Sequence, residues 1–290
     1  MKDPTKINVL VACEESQRVC MAFRDRGFNA FSCDIQECSG GHPEYHILGD
    51  AVKALEAGEI TTMDGQTHHI SKWDLLIAHP PCTYLSNAGA RHLWKGHQLQ
   101  ADRVMLGIKA RDFFMEFYRA NIPLMAVENP VPSKIFVMPQ HSQIIQPYHF
   151  GHPYTKRTCL WLRNLPPLDP TNIVEPTETW CPSGSYSHKH GEQHKGMFTT
   201  DRAKNRSKTF PGIAKAMAEQ WGECRELHCA HCQDRPKKYM RMMECTALKY
   251  ARLLYEAGLT YTEEDVRYAY NGGYACGMEQ GIEAERSRKG

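Results

Sequence analysis

Short apolar runs alternate with stretches of helical periodicity along the first half of the chain, and this alternation limits the fold more than any single motif does. The runs are "INVLVA" (7–12), "FNAFSCD" (28–34), "WDLLIA" (73–78) and "IPLMAVEN" (122–129). Between the first two lies "SQRVCMAFRDRG" (16–27), with apolar spacing at Val19, Ala22 and Phe23, Ser16 as the expected N-cap and Gly27 as the stop. "ADRVMLGIKARDFFMEFYRA" (101–120) has the pattern of an amphipathic helix. Buried strands separated by helices predict an α/β fold with a mostly parallel sheet.

In such sheets ligands collect beyond the carboxyl ends of the strands. Asp34, Cys82 and Glu128 each stand at or just after the end of an apolar run, so they share that address. The third run ends abruptly on His79-Pro80-Pro81 with Cys82 directly behind. The prolines stop the hydrogen-bond ladder and fix the direction of exit, which aims the thiol. An aimed thiolate suits attack on an electrophilic carbon, with a carboxylic acid protonating the nitrogen that takes up the displaced electrons. Spacing alone also allows Cys82 to pack and Glu128 to cap a turn before Pro130.

The 290 residues suffice for one substantial core and an appendage. Hydrophobic content of 41% and charged content of 23% are those of an ordinary globular protein. A net charge of +2 neither demands nor excludes nucleic acid. No run approaches the roughly 18 consecutive apolar residues of a membrane span, so no membrane partner is expected. The start, "MKDPTKINVL", has no secretory apolar region. Twelve cysteines without that signal predict a reducing compartment and a cytoplasmic protein. Cys20, Cys33 and Cys159 read as small buried side chains.

Several segments together resemble the cytosine-carbon-5 DNA methyltransferases. "PPCTYLS" is similar to that family's Pro-Cys segment through Pro81, Cys82 and Ser86, with Asp74 heading the strand before it. "AVENP" resembles its Glu-Asn segment, "FGHPYTKRTCLWL" (150–162) its Phe-Gly-x-Pro segment, and "RSKTFPGIAKAMAEQW" (206–221) its closing segment. The ordered set runs from residue 7 to 222. It implies a class-I S-adenosylmethionine-dependent, Rossmann-like catalytic domain over 1–222, followed by a small helical, cysteine-bearing appendage over 223–290. It implies DNA as partner. Cys82 would add to carbon 6 of cytosine, Glu128 would bond the ring nitrogen and exocyclic amine, and carbon 5 would accept the methyl group. A free cysteine has a pKa of ~8.5, so nearby positive charge should help form the thiolate. Lys156 and Arg157 are the expected source, with His79 a further candidate. The base would have to be flipped out of a duplex, at roughly a few kcal/mol.

For S-adenosylmethionine the resemblance implies a pocket built from Cys13, Glu14, Asp34, Asp50 and Pro80. Asp34 matches the acidic residue that takes the ribose hydroxyls, and Asp50 an aspartate near the adenine. Glu14 or Glu15 would bind the methionine amine, although glutamates at a helix start also simply complement its dipole. The glycine-rich turn of the family is replaced by "ACEES". Thr83 stands where glutamine is usual and Pro130 where valine is usual. Too few residues lie between 162 and 206 for the usual target-recognition domain. Two alternatives therefore stand beside a DNA enzyme: a carbon-5 modifier of cytosine nucleotides, and a non-catalytic DNA-binding relative. "HPPC" also resembles superficially the Asn/Asp-Pro-Pro-aromatic segment of amino-methyltransferases, but His79 and Cys82 supply poorly the acceptor and the stacking ring that those need.

Cys224, Cys229 and Cys232 in "CRELHCAHC", with His228 and His231, are close enough to contribute zinc ligands, so zinc is a candidate second cofactor there, although the spacing lacks a clean second pair. His188, His190 and His194 cluster in a glycine- and serine-bearing segment that reads first as a surface loop. Thr262 and Asp265 form a capping arrangement for a helical tail. The sequence carries no signature of oligomeric state.

Overall fold

The structure is a computed structural model and describes residues 6–179 and 207–222. The zinc-candidate cysteines, the histidine cluster and the 223–290 appendage lie outside the described residues. In chain order the elements are β1 (Asn8–Ala12), α1 (Arg18–Arg24), β2 (Asn29–Asp34), β3 (His46–Leu48), β4 (Gly58–Thr61), β5 (Thr67–Ile70) and β6 (Leu75–Ala78). Next come α2 (Asn87–Ala90), β7 (Trp94–Lys95), β8 (Gln98–Leu99), α3 (Ala101–Arg119), β9 (Leu124–Pro130) and β10 (Gln143–Ile145). The last are β11 (Tyr154–Thr155), β12 (Thr158–Arg163), β13 (Glu178–Thr179) and α4 (Pro211–Gly222).

Seven strands form the central sheet, in the order β10-β12-β9-β6-β1-β2-β3. Pairing is parallel from β9 through β6, β1 and β2 to β3, while β12 runs antiparallel to both β9 and β10. The expected α/β class with a mostly parallel sheet is therefore present, and the order is compatible with a Rossmann-like fold. The chain steps outward from β1 to β2 and β3, then returns to lay β6 on the other side of β1. That reversal makes the gap between the carboxyl ends of β1 and β6 a topological switch point, where doubly wound sheets hold their ligands.

Burial explains why these runs are strands. Val9, Leu10, Val11 and Ala12 are all fully buried, so β1 is apolar on both faces, as a central parallel strand must be. Val9 and Val11 join Val19, Cys20 and Phe23 of α1 and Ile213, Met217 and Trp221 of α4 in one core cluster. Each such aliphatic or aromatic side chain contributes about 1.5–3 kcal/mol on burial. Cys20, Cys33 and Cys159 are fully buried, as expected from their apolar surroundings.

Helix α1 ends as the sequence predicts: Gly27 adopts φ 84°, and Phe28 N donates to Phe23 O at 3.1 Å. Its start differs from the expectation. Ser16 is not the cap; Gln17 occupies that position in the left-handed region and makes no side-chain capping bond. The Glu14 carboxylate fills the role from upstream, accepting from Val19 N at 2.7 Å and Cys20 N at 3.1 Å. Its two oxygens each accept from one of the orphan N–H groups of the first turn.

The chain divides into two compact units, and the division falls inside the expected 1–222 domain. The first holds described residues 6–81, 116–131, 141–179 and 207–222, and so contains the whole central sheet. Within it Arg163 of β12 donates to the carbonyls of Tyr118, Ala120 and Ile122, satisfying the acceptors left at the end of α3. The second unit holds residues 82–115 and 132–140. There Ser133 N donates to Leu85 O at 2.7 Å, and Gly107 of α3 admits the Phe136 ring so closely that a Cβ would lie 2.1 Å from it.

Candidate functional site

The first unit gathers its polar side chains at the carboxyl ends of the parallel strands. After β1 the backbone turns sharply at Cys13 (φ 58°) and again at Gln17 (φ 56°), both non-glycine residues in the left-handed region. Each such residue costs about 1–2 kcal/mol, and strain of this kind persists where surrounding structure imposes it, often at ligand sites. The turn after β1 is thus made without glycine. Glu14 N donates to Cys33 O at 3.2 Å, and His79 N donates to Ala12 O at 2.9 Å, so the exits of β2 and β6 are tied to the exit of β1.

Asp34 ends β2 and Asp50 follows β3. One oxygen of each is used locally: Asp34 Oδ1 accepts from Gln36 N, and Asp50 Oδ1 from Val52 N, both at 2.9 Å. Gly49 N, beside Asp50, donates to Asp34 O at 2.9 Å, so Cys13, Asp34 and Asp50 stand at neighbouring strand exits. Burial pushes the Cys13 thiol up, and the charges of Asp34, Cys33 and Asp50 add to that. Glu14 and Glu15 are not exposed residues at a helix start; they are only 4% and 6% exposed. Burial raises the Glu14 pKa, opposed by the His79 charge and by the Val19 and Cys20 N–H groups. Both Glu14 oxygens are committed to α1, so its visible work is structural.

Two consecutive residues of β9 grip two consecutive residues at the exit of β6. Glu128 Oε2 lies 3.1 Å from His79 Nδ1, and the side chains are 15% and 6% exposed. Asn129, itself buried, donates from Nδ2 to the carbonyl of buried Pro80 at 2.8 Å. The register explains the match. Ala78 is opposite Val127, so the next residues along each strand, His79 and Glu128, emerge side by side. Burial alone would raise the Glu128 pKa; the hydrogen bond from His79 and the charges of Lys156 and His79 outweigh it, and the net direction is down.

Because β12 runs antiparallel, the segment before it arrives at the same edge. Lys156 is half-buried there, with its N–H on Gln146 Oε1 at 2.8 Å. Of the expected basic pair, Lys156 acts on Glu128. Arg157 is exposed, and its charge is felt by His141 and Cys159 instead. Asp74 works at the opposite end of the sheet, where Oδ2 accepts from Asn8 N at 3.0 Å.

Compared with known proteins, the chain matches no protein-family model and no curated protein.

Cys82 belongs to the second unit and is half-buried. Its carbonyl accepts from Leu85 N at 3.1 Å and Ser86 N at 2.9 Å, which coils the segment behind the prolines into a turn. Further along, Arg103 donates to Thr83 O at 3.2 Å and stacks over Tyr84 at 4.2 Å. No described cysteines form a disulfide, and no group of His, Cys, Asp and Glu suited to a metal ion occurs among the described residues. No described helix is long and apolar enough to cross a membrane.

Asp34 and Asp50 each have a second carboxylate oxygen that can accept from the hydroxyl or amine donors of a ligand at the carboxyl ends of the strands. The sequence offers His79 as a source of charge and as a poor acceptor, with no sign of its bond to Glu128, and it offers no role for the Asn129 side chain. The bond from Asn129 to Pro80 was detectable only as adjacency to Glu128.

Proposed function

We propose that the chain is a cytosine-carbon-5 DNA methyltransferase. The observation that carries this reading is the grip of Glu128-Asn129 on His79-Pro80, at 3.1 Å and 2.8 Å. It joins the Glu-Asn segment to the strand exit that leads, one proline later, to Cys82. The seven-stranded sheet, with its one reversed strand and its switch point between β1 and β6, supports a class-I methyltransferase fold.

In this reading Cys82 is the nucleophile. Its thiolate forms a bond to carbon 6 of cytosine as the carbon 5–carbon 6 double bond opens, and the displaced electrons reach the ring nitrogen, which takes up a proton from water. Once carbon 5 has gained a methyl group, loss of its proton to water re-forms the double bond and expels the Cys82 thiolate. Glu128, ionised at neutral pH because its pKa is lowered, accepts from the exocyclic amine and from the protonated ring nitrogen. It acts as a preplaced counter-charge rather than as a preformed acid. Asn129 fixes the Pro80 carbonyl at the exit of β6. Lys156 keeps Glu128 ionised. Bound S-adenosylmethionine supplies an electrophilic methyl group; Asp34 and Asp50 would hold its hydroxyl and amine donors.

The test is nucleoside mass spectrometry of DNA from cells expressing the protein, beside cells expressing Cys82→Ser. 5-Methylcytosine is expected with the wild type only, because a serine hydroxyl is barely ionised at neutral pH. Full methylation by Cys82→Ser would remove the carbon-5 mechanism. Methylation of free cytidine nucleotides without methylation of DNA would reassign the substrate.

A further inference from the structure

We propose that His79 is a positioning residue for Glu128: its imidazole holds one carboxylate oxygen so that the other remains for the base. This rests on the methyltransferase reading above. A carboxylate has two equivalent oxygens on a rotatable bond, and the amine and ring nitrogen of cytosine need one of them at a fixed place. The bond from Nδ1 to Oε2 at 3.1 Å breaks the equivalence.

The imidazole is itself fixed. His79 N is bonded to Ala12 O at 2.9 Å, Pro80 follows it, and the Pro80 carbonyl is bonded to Asn129. Three adjacent strands, β1, β6 and β9, therefore determine where Nδ1 sits. The side chain is 6% exposed, so water competes poorly for the contact. The charged groups facing the pair are Glu14 from the turn after β1 and Lys156 from the segment before β12. Lys156 supplies charge from a flexible stem, whereas the ring of His79 supplies direction.

His79→Leu removes the donor, and His79→Asn keeps an N–H near the position of Nδ1. With a DNA substrate, His79→Leu should lower kcat about 10- to 100-fold, the scale of a misplaced catalytic group. KM for S-adenosylmethionine should stay unchanged. His79→Asn should recover most of the loss. The acid limb of the kcat–pH profile should move to higher pH in His79→Leu, because Glu128 loses the bond that favours its ionised form. A wild-type kcat and acid limb in His79→Leu would overturn the proposal, as would His79→Asn failing as badly as His79→Leu. If His79→Leu does not fold, His79→Gln, whose N–H lies away from the position of Nδ1, replaces it: loss of kcat in His79→Gln with recovery in His79→Asn supports positioning, and equal kcat in the two overturns it. Titration of the Glu128 carboxyl by carbon-13 NMR separates this from the parent reading. If the wild type makes no 5-methylcytosine, the methyltransferase reading falls. The Glu128 pKa, rising in His79→Leu and staying near wild type in His79→Asn, still shows whether His79 holds the carboxylate; an unchanged value in both overturns the proposal.

Discussion

Glu14 and Glu128 come from the two strands that flank β6, both are largely removed from water, and both feel the charge of His79, yet their carboxyls shift in opposite directions. Burial is the largest influence on each and raises both. Around Glu14 the opposing help is the more distant charge of His79 and two backbone N–H groups, and burial wins. Around Glu128 an imidazole bonds the carboxylate directly and Lys156 adds charge, and burial loses. The partner, not the depth, decides whether a buried carboxylate stays ionised. The turn after β1 accordingly uses its carboxylate as a helix cap, and the end of β9 keeps one available as a counter-charge.

The sharpest way to break the comparison is activity. Glu128→Gln should slow methyl transfer by roughly 100- to 1,000-fold, the scale of losing one preplaced group that stabilises developing charge, in steady-state assays with S-adenosylhomocysteine affinity unchanged. Wild-type turnover in this variant would leave Glu128 no special place among the buried carboxylates.

A smaller effect belongs to the more open carboxylate at the end of β2. Asp34→Ala should weaken S-adenosylhomocysteine binding about tenfold by calorimetry, the loss of one or two net hydrogen bonds. Unchanged affinity would move the cofactor away from this edge.

Glu14→Ala should cost about 0.5–2 kcal/mol in urea unfolding, the usual cost of losing a helix cap. No change in midpoint would mean that α1 is held by its packing on the sheet and on α4, without help from the cap.

The finest test is the sign of the pH dependence. The folded pKa of Glu128 is depressed, so its contribution is present above the unfolded value of about 4.3 and is lost as pH falls through the folded value. The folded pKa of Glu14 is raised, so its contribution is present below the unfolded value and declines as pH rises through the folded one. Unfolding midpoints measured against pH should therefore show Glu128→Gln flattening the acid-side loss and Glu14→Gln flattening the decline above it. Equal slopes of the same sign in both variants would end the contrast.

The sequence by itself determined β1, β2, β6, β9, α1 and α3, because runs that are apolar on both faces or on one helical face carry their own period. Strands of three residues, β3 and β10, carry no period and exist only through their neighbours. The cap of α1 was misplaced at Ser16 because capping is usually local, whereas here a charged side chain reaches in from beyond the turn. The left-handed turns at Cys13 and Gln17 are invisible to composition, since only glycine advertises that conformation. Asp34, Cys82 and Glu128 were legible as strand-end residues; the bond between His79 and Glu128 was not. It joins residues 49 positions apart, and whether they meet depends on the pairing of Ala78 with Val127. A shift of one residue in that register would turn Glu128 to the other face of the sheet. Hydrophobic pattern is a local property of the chain, and register is a property of two segments at once, so only the tertiary structure decided the partner of Glu128.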